Sequence, residues 1–193
     1  MGRRSSDEDD QADRDLLARI ARSDRAAFDA FYARHAREAL AYVREIVHIP
    51  ELAEEVASDA MIAVWTSAGR YRGDARVTTW LLSIAHHKAL GALRRSGHAL
   101  SPLDAALDLP INGAGPEEIV IRRCERVELE RALATLTPEH RAVLQLMFAF
   151  SRTLVEISEI VKAPVATVKT RLFYAKRRLR DALEQAAAAQ EIA

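Results

Sequence analysis

Residues 164–180 read PVATVKTRLFYAKRRLR and carry six Lys or Arg and no acid, on what the spacing predicts to be one helix. Cations on a helix neutralise phosphates, and polar groups in its first turns read base edges in the major groove. At about 100° per residue, Val165, Val168, Leu172, Ala175 and Leu179 fall on one narrow stripe, suited to packing against Ile157, Ile160 and Val161. The opposite face carries Thr170, Phe173, Tyr174 and Arg177, with Thr167 and Lys169 on its flanks. Thr167, Lys169, Thr170 and Arg171 are the candidates for base or nearby phosphate contacts. Lys176, Arg177, Arg178 and Arg180 lie further along, where phosphates are met. Just upstream, Thr153-Leu154-Val155-Glu156 matches a capping box and predicts a short helix from Leu154 to Val161. Two short helices with a basic second member are the pattern of a helix-turn-helix that lays its second helix in the DNA major groove; the alternative is a solvated, merely basic helix.

A second stretch, residues 70–95, holds Arg70, Arg72, Arg76, Lys88, Arg94 and Arg95 against one acid, Asp74. Tyr71, Trp80, His86 and His87 are interleaved. Aromatics among cations suit single-stranded nucleic acid, whose bases stack on rings while the backbone meets positive charge. Trp80, beside Leu81 and Leu82, also fits a core position. Adjacent His86 and His87 point to different helix faces and cannot chelate one metal together. Residues 51–59 run the other way, with Glu51, Glu54, Glu55 and Asp59 and no cation. DNA would repel this segment. Beside Val56, Met61, Ile62 and Trp65, it suits either a protein partner bearing Arg or Lys or a plain solvated face.

These groups must be held by helices. Leu16, Leu17, Ile20 and Ala21 recur at helix spacing, as do Phe28, Phe31 and Tyr32, then Leu40, Val43, Ile46 and Val47. His48-Ile49-Pro50 breaks the pattern. A helix is expected from about Glu51 to Ser67, a loop from Gly69 to Thr79, and helix again to Arg94. Another helix runs from Glu117 to about Leu136. Thr137 reads as an N-cap with Pro138 at the first helical position. No strand pattern or repeat is evident. The fold class is all-α: two small helical domains, at 15–95 and 117–186, joined by a flexible linker at 96–116 rich in Gly and Pro. Residues 1–14, with Asp7, Glu8, Asp9, Asp10 and Asp13, read as a disordered acidic tail, and 187–193 as a C-terminal tail.

The 193 residues balance 28 Lys and Arg against 28 Asp and Glu, so a net charge of zero hides charge segregated by segment. Hydrophobic content of 49% with 29% charged residues fits a soluble globular protein. Lone Cys124 cannot form an internal disulfide, and no apolar run approaches the roughly 20 residues of a membrane span. MGRRSSDEDD has no apolar signal region. A cytoplasmic location is expected. The chain lacks a Walker phosphate loop, GxGxxG and HExxH, so no enzyme, metal site or cofactor is expected. Cys124, among Arg122, Arg123 and Arg126, reads as an inert helix residue.

Residues 54–95 (EEVASDAMIAVWTSAGRYRGDARVTTWLLSIAHHKALGALRR) resemble conserved region 2 of bacterial sigma factors. Residues 132–183 (ALATLTPEHRAVLQLMFAFSRTLVEISEIVKAPVATVKTRLFYAKRRLRDAL) resemble their region 4. With only a linker between them, the layout is similar to the extracytoplasmic-function, or ECF, group. The resemblance implies a bundle for region 2 and a helix-turn-helix for region 4. It implies that Glu54, Glu55, Ser58, Asp59 and Trp65 dock on the β′ clamp helices of RNA polymerase core. It implies that Arg70, Tyr71, Arg72, Trp80, His86, His87 and Lys88 open and capture the minus-10 element around a flipped base. Thr167, Lys169, Thr170, Arg171, Tyr174 and Arg177 would read the minus-35 duplex, and Leu133, Leu136, Leu144 and Met147 would meet the β flap. A free monomer and an anti-sigma partner are implied too. Departures from the family pattern include Ser58-Asp59 for Gln-Glu, His87 for Asn, Gly91 for an acid, and Lys162, Ala163 and Ala166 where Gly is frequent. The rival reading is an ordinary helix-turn-helix regulator on duplex operator DNA, which leaves the 70–95 and 51–59 segments without a role.

Overall fold

The structure, a computed structural model, describes residues 2–96 and 129–190, and the regular elements among them are all helical. Helix α1 (Gly2–Ile20) turns tightly into α2 (Arg25–Val47), which Asp24 caps by accepting from Ala27 N at 3.1 Å. His48 takes a left-handed φ of 55°, and α3 (Pro50–Ser67) then starts with Pro50 in its first turn, where its missing N–H is harmless. One 3-10 turn (Ala68–Arg70) and a loop lead to α4 (Val77–Ser96). Beyond the linker, α5 is described over 129–134. Thr137 caps α6 (Pro138–Phe148) with Pro138 in its first turn, as its sequence predicts. Both halves of the Thr153–Glu156 capping box are formed at the start of α7 (Leu154–Val161). Helix α8 (Val165–Gln190) completes the helix-turn-helix and continues past residue 186.

The acidic start is not the disordered tail its composition predicts: α1 is helical from Gly2. Leu17 and Ile20 anchor the helix in the core, and Asp7, Asp10 and Asp13 find partners. Asp13, only 3% exposed, lies 2.6 Å from Arg34 Nη1 and 2.9 Å from His35 Nε2. Burial pushes the Asp13 carboxyl up, but the bonds from His35 and Arg34 outweigh it and hold it below the usual carboxylate range. The expected linker, apart from Ser96 at the end of α4, and residues 117–128 with Cys124 lie outside the described residues.

Two apolar clusters organise the chain. Leu17, Ile20, Phe31, Met61, Val64, Val77 and Leu81 join α1 to α2, α3 and α4. The other cluster crosses between the two sequence-predicted domains, placing Tyr42, Val43, Leu82 and Ala85 with Leu146, Ile157, Ile160 and Val168. Helix α7 packs on α4, and α6 on α2. Fully burying a Val, Leu or Ile side chain contributes about 1.5–3 kcal/mol to the folded chain, and part of that burial is at this seam. Polar side chains bridge the same seam. Arg152 bonds Glu38 and donates to Thr78 Oγ1 at 3.2 Å, and Gln145 Nε2 donates to Glu45 at 2.6 Å. Arg141, 1% exposed, donates to the carbonyls of Leu133 and Leu136 and to His48 Nε2. Burial lowers Arg141 to about 10 and, with Arg141 adjacent, His48 to about 4, so His48 is neutral and free to accept.

Candidate nucleic-acid interface

Helix α8 presents two faces, as its stripe predicts. Val168, Leu172 and Ala175 are buried in the cluster shared with α6 and α7, while Val165 and Leu179 are half-buried. Lys169, Thr170, Tyr174 and Arg177 are exposed, while Thr167 and Arg171 are half-buried. Thr170 Oγ1 donates to Ala166 O at 3.0 Å, leaving its lone pairs outward. Phe173 and Tyr174 stand edge to face, ring centroids 5.5 Å apart, beside these cations. Lys176 lies 5.1 Å over the Phe148 ring, which ties the middle of α8 to the end of α6. The turn before α8 uses no glycine: Lys162 itself adopts the left-handed conformation, φ 51° and ψ 48°.

The 70–88 segment divides. Arg70, Arg72 and His87 are exposed, and Arg72 pairs with Asp74 at 3.2 Å. Tyr71 and Trp80 are half-buried, their rings 5.4 Å apart, and the Tyr71 hydroxyl donates to Ala75 O at 2.6 Å. The loop therefore forms a tight bend with an aromatic floor, turned by Gly73 at φ 79°. His86 lies elsewhere. It is 2% exposed, 2.9 Å from the Tyr42 hydroxyl through Nδ1. Burial, with His87 and Arg171 nearby, pulls it down to about 3. His86 thus faces the seam and His87 the solvent, on different faces of α4 as their adjacency predicts. Lys88 reaches Asp59 of α3 at 3.4 Å.

Glu54, Glu55, Ser58 and Asp59 are all exposed on α3, and Trp65 is half-buried with its ring 5.3 Å from Phe28. Glu54 and Ser58 line a groove of about 370 Å³ between α2 and α3, with Tyr32, Arg37, Leu40 and Met61. Sequence reasoning missed Arg37, and also Arg44, which pairs with Glu54 at 3.0 Å. Both lie on α2 among the apolar positions Leu40, Val43, Ile46 and Val47 that marked that helix, and only their charge sets them apart. Of the residues expected at the β flap, Leu136 and Leu144 are buried in the shared core, while Leu133 and Met147 sit partly buried at its edge. Among the described residues no helix is long and apolar enough to cross a membrane.

The family model described as Sigma-70 region 2 matches residues 31–99, and that described as Sigma-70, region 4 matches residues 132–181. The chain is 30% identical over 174 residues to the ECF RNA polymerase sigma factor SigK of Mycobacterium sp. (strain KMS), covering 87% of this chain and 89% of that protein. Its fold is similar to CnrH in complex with the cytosolic domain of CnrY, with TM-score 0.67 and 21% identity over 90% of this chain and 98% of that one. It is also similar to the sigma factor RpoE bound to the anti-sigma factor NepR from Bartonella quintana, with TM-score 0.64 and 16% identity over 81% and 96% of the two chains. With both regions matched in order and one relative aligned along nearly its whole length, this chain belongs to the ECF RNA polymerase sigma factors.

Proposed function

We propose that the chain is an alternative sigma factor that works as a recognition and strand-capture device, leaving bond chemistry to the polymerase core. The observation that supports this most is two separate cationic surfaces on one chain. One is a helix-turn-helix, and the other a bend floored by Tyr71 and Trp80. Helix α8 would read the minus-35 duplex through Lys169, Thr170 and Arg171, with Thr167, Tyr174 and Arg177 beside them. The 70–88 segment would hold a base extruded from the minus-10 element, whose unstacking of a few kcal/mol the pocket must offset. The α2–α3 groove with Glu54, Glu55, Ser58, Asp59 and Trp65 would receive the β′ clamp helices of the core.

The closed arrangement sets a condition on this mechanism. A compact chain of this length has a radius of gyration of about 16 Å. Promoter elements centred roughly 25 base pairs apart are separated by ~85 Å along the duplex. Both cannot be read at once until regions 2 and 4 part, and parting them uncovers His86. A fold relative bound to an anti-sigma factor supports control of this chain by a partner of that kind, which would hold the closed form. The working compartment is the cytoplasm, where the polymerase is, and the free chain is a monomer.

The test is run-off transcription by purified core polymerase on the host's own promoters, with and without the chain. Start sites that need the chain support the reading. No transcription on any template, with tight duplex binding by the chain alone, would favour the operator-binding regulator instead.

A further inference from the structure

Helix α4 begins at Val77, and the first N–H groups of a helix have no acceptor within it. The Arg76 carbonyl accepts from Trp80 N at 3.0 Å, but Val77 N needs an acceptor from outside the helix. The missing acceptor comes from the other end of the region. Asp10 Oδ1 of α1 accepts from Val77 N at 2.8 Å, and the other oxygen of the same carboxylate is held by Arg14 Nε at 2.9 Å. One turn earlier Asp7 pairs with Arg76 at 3.0 Å. Arg14 also runs under the bend: a Cβ added at Gly73 would meet its Nη1 at 3.5 Å. The negative charge of Asp10 sits where the α4 dipole is positive. The acidic start of α1 is thus a strut under both the 71–76 bend and the first turn of α4.

We propose that Asp10 is a positioning residue for minus-10 melting: by capping α4 from α1 it holds Tyr71, Arg72 and Trp80 in the arrangement that captures an extruded base. The proposal rests on the reading that segment 70–88 performs that capture. Base extrusion is offset only by a pocket formed in advance, with its groups placed to about 0.5 Å. A loosened bend therefore penalises opening of an intact duplex more than binding of DNA already open. Asp10 touches no DNA in this account and acts through Val77 and Arg14.

The experiment uses the full chain with core polymerase and two forms of one promoter, an intact duplex and a template pre-opened by mismatches across the minus-10 element. Permanganate reactivity of unpaired thymines and run-off product are both read. Asp10→Ala is expected to reduce opening of the duplex about fivefold, the size of a lost helix cap, with near wild-type run-off from the pre-opened template. Asp10→Asn keeps an oxygen that can accept from Val77 N and should recover most of the duplex opening. Co-elution with core on gel filtration should be unchanged in both variants. Equal opening by Asp10→Ala and wild type overturns the proposal, as does equal loss on both templates, which would make Asp10 structural only. A wild-type chain that opens the duplex while Tyr71→Ala and Trp80→Ala do so equally well removes the capture reading, and the proposal with it.

Discussion

The ring of Phe150, in the turn after α6, stands edge-on to Tyr42 of α2 with centroids 5.3 Å apart, and Tyr42 in turn bonds His86. This chain of three side chains fastens region 4 over a histidine that the family resemblance assigns to DNA. The seam should therefore open when the factor is loaded. With fluorophores on Arg72→Cys and Arg180→Cys in a Cys124→Ser background, energy transfer should be high in the free chain. It should fall sharply on adding core, as the ends move apart by tens of ångströms. Unchanged transfer would contradict the closed-to-open account. Arg152→Ala, which removes the bonds to Glu38 and Thr78, should lower transfer in the free chain.

Acid should loosen the same seam. Burial holds His86 down to about 3 and His48 down to about 4, against about 6.5 for an unfolded histidine. Their folded forms are neutral, so both contribute stability fully above pH 6.5 and lose it as the pH falls toward those values, because the unfolded chain then binds protons that the folded chain refuses. The slope is at most about 1.4 kcal/mol per pH unit for each. Thermal unfolding between pH 7 and 5 should show a falling Tm, with a shallower fall in His86→Gln. An equal slope in the variant would mean that His86 does not carry the effect.

Lys162 closes the helix-turn-helix in a left-handed conformation that favours glycine. Lys162→Gly should raise stability by about 0.5–1 kcal/mol, after the added freedom of the unfolded chain is subtracted. A urea melt reads this directly. A lower midpoint would mean that the Lys162 side chain makes a contact worth more than the strain. Thr153→Ala, which removes the capping-box hydroxyl, should move the midpoint the other way by about 1 kcal/mol.

On α8, Lys169→Ala or Arg171→Ala should reduce transcription from a promoter with an intact minus-35 element about tenfold, the size of one lost base or phosphate contact. Transcription from a promoter whose minus-35 element is scrambled should barely change. Equal loss on both promoters would move these residues out of the groove.

What the sequence makes legible is local. The Thr153–Glu156 box, the Thr137-Pro138 start and the break before Pro50 are signals spanning a few residues, and each lies where those residues indicate. The buried stripe of α8 follows from helix periodicity alone. What stayed illegible depends on partners distant in the chain. The acids of residues 7–13 look like a solvated tail until Arg34, His35, Arg76 and Val77 N come to meet them. Adjacency separates His86 from His87, but it cannot tell which one faces the seam, because Tyr42 and Phe150 decide that from 44 residues upstream in one case and from region 4 in the other. Nothing near Arg141 in the sequence marks it for burial, and only the carbonyls of Leu133 and Leu136 and the His48 ring allow it.

In this mechanism one chain supplies promoter choice to a polymerase core that lacks it. Run-off transcription with purified core on the host's promoters tests it most directly. Discrete start sites should appear only with the chain, preceded by shared minus-35 and minus-10 elements, and be lost when both elements are scrambled. Identical transcripts with and without the chain, or tight duplex binding by the chain alone with no effect on the core, would contradict it.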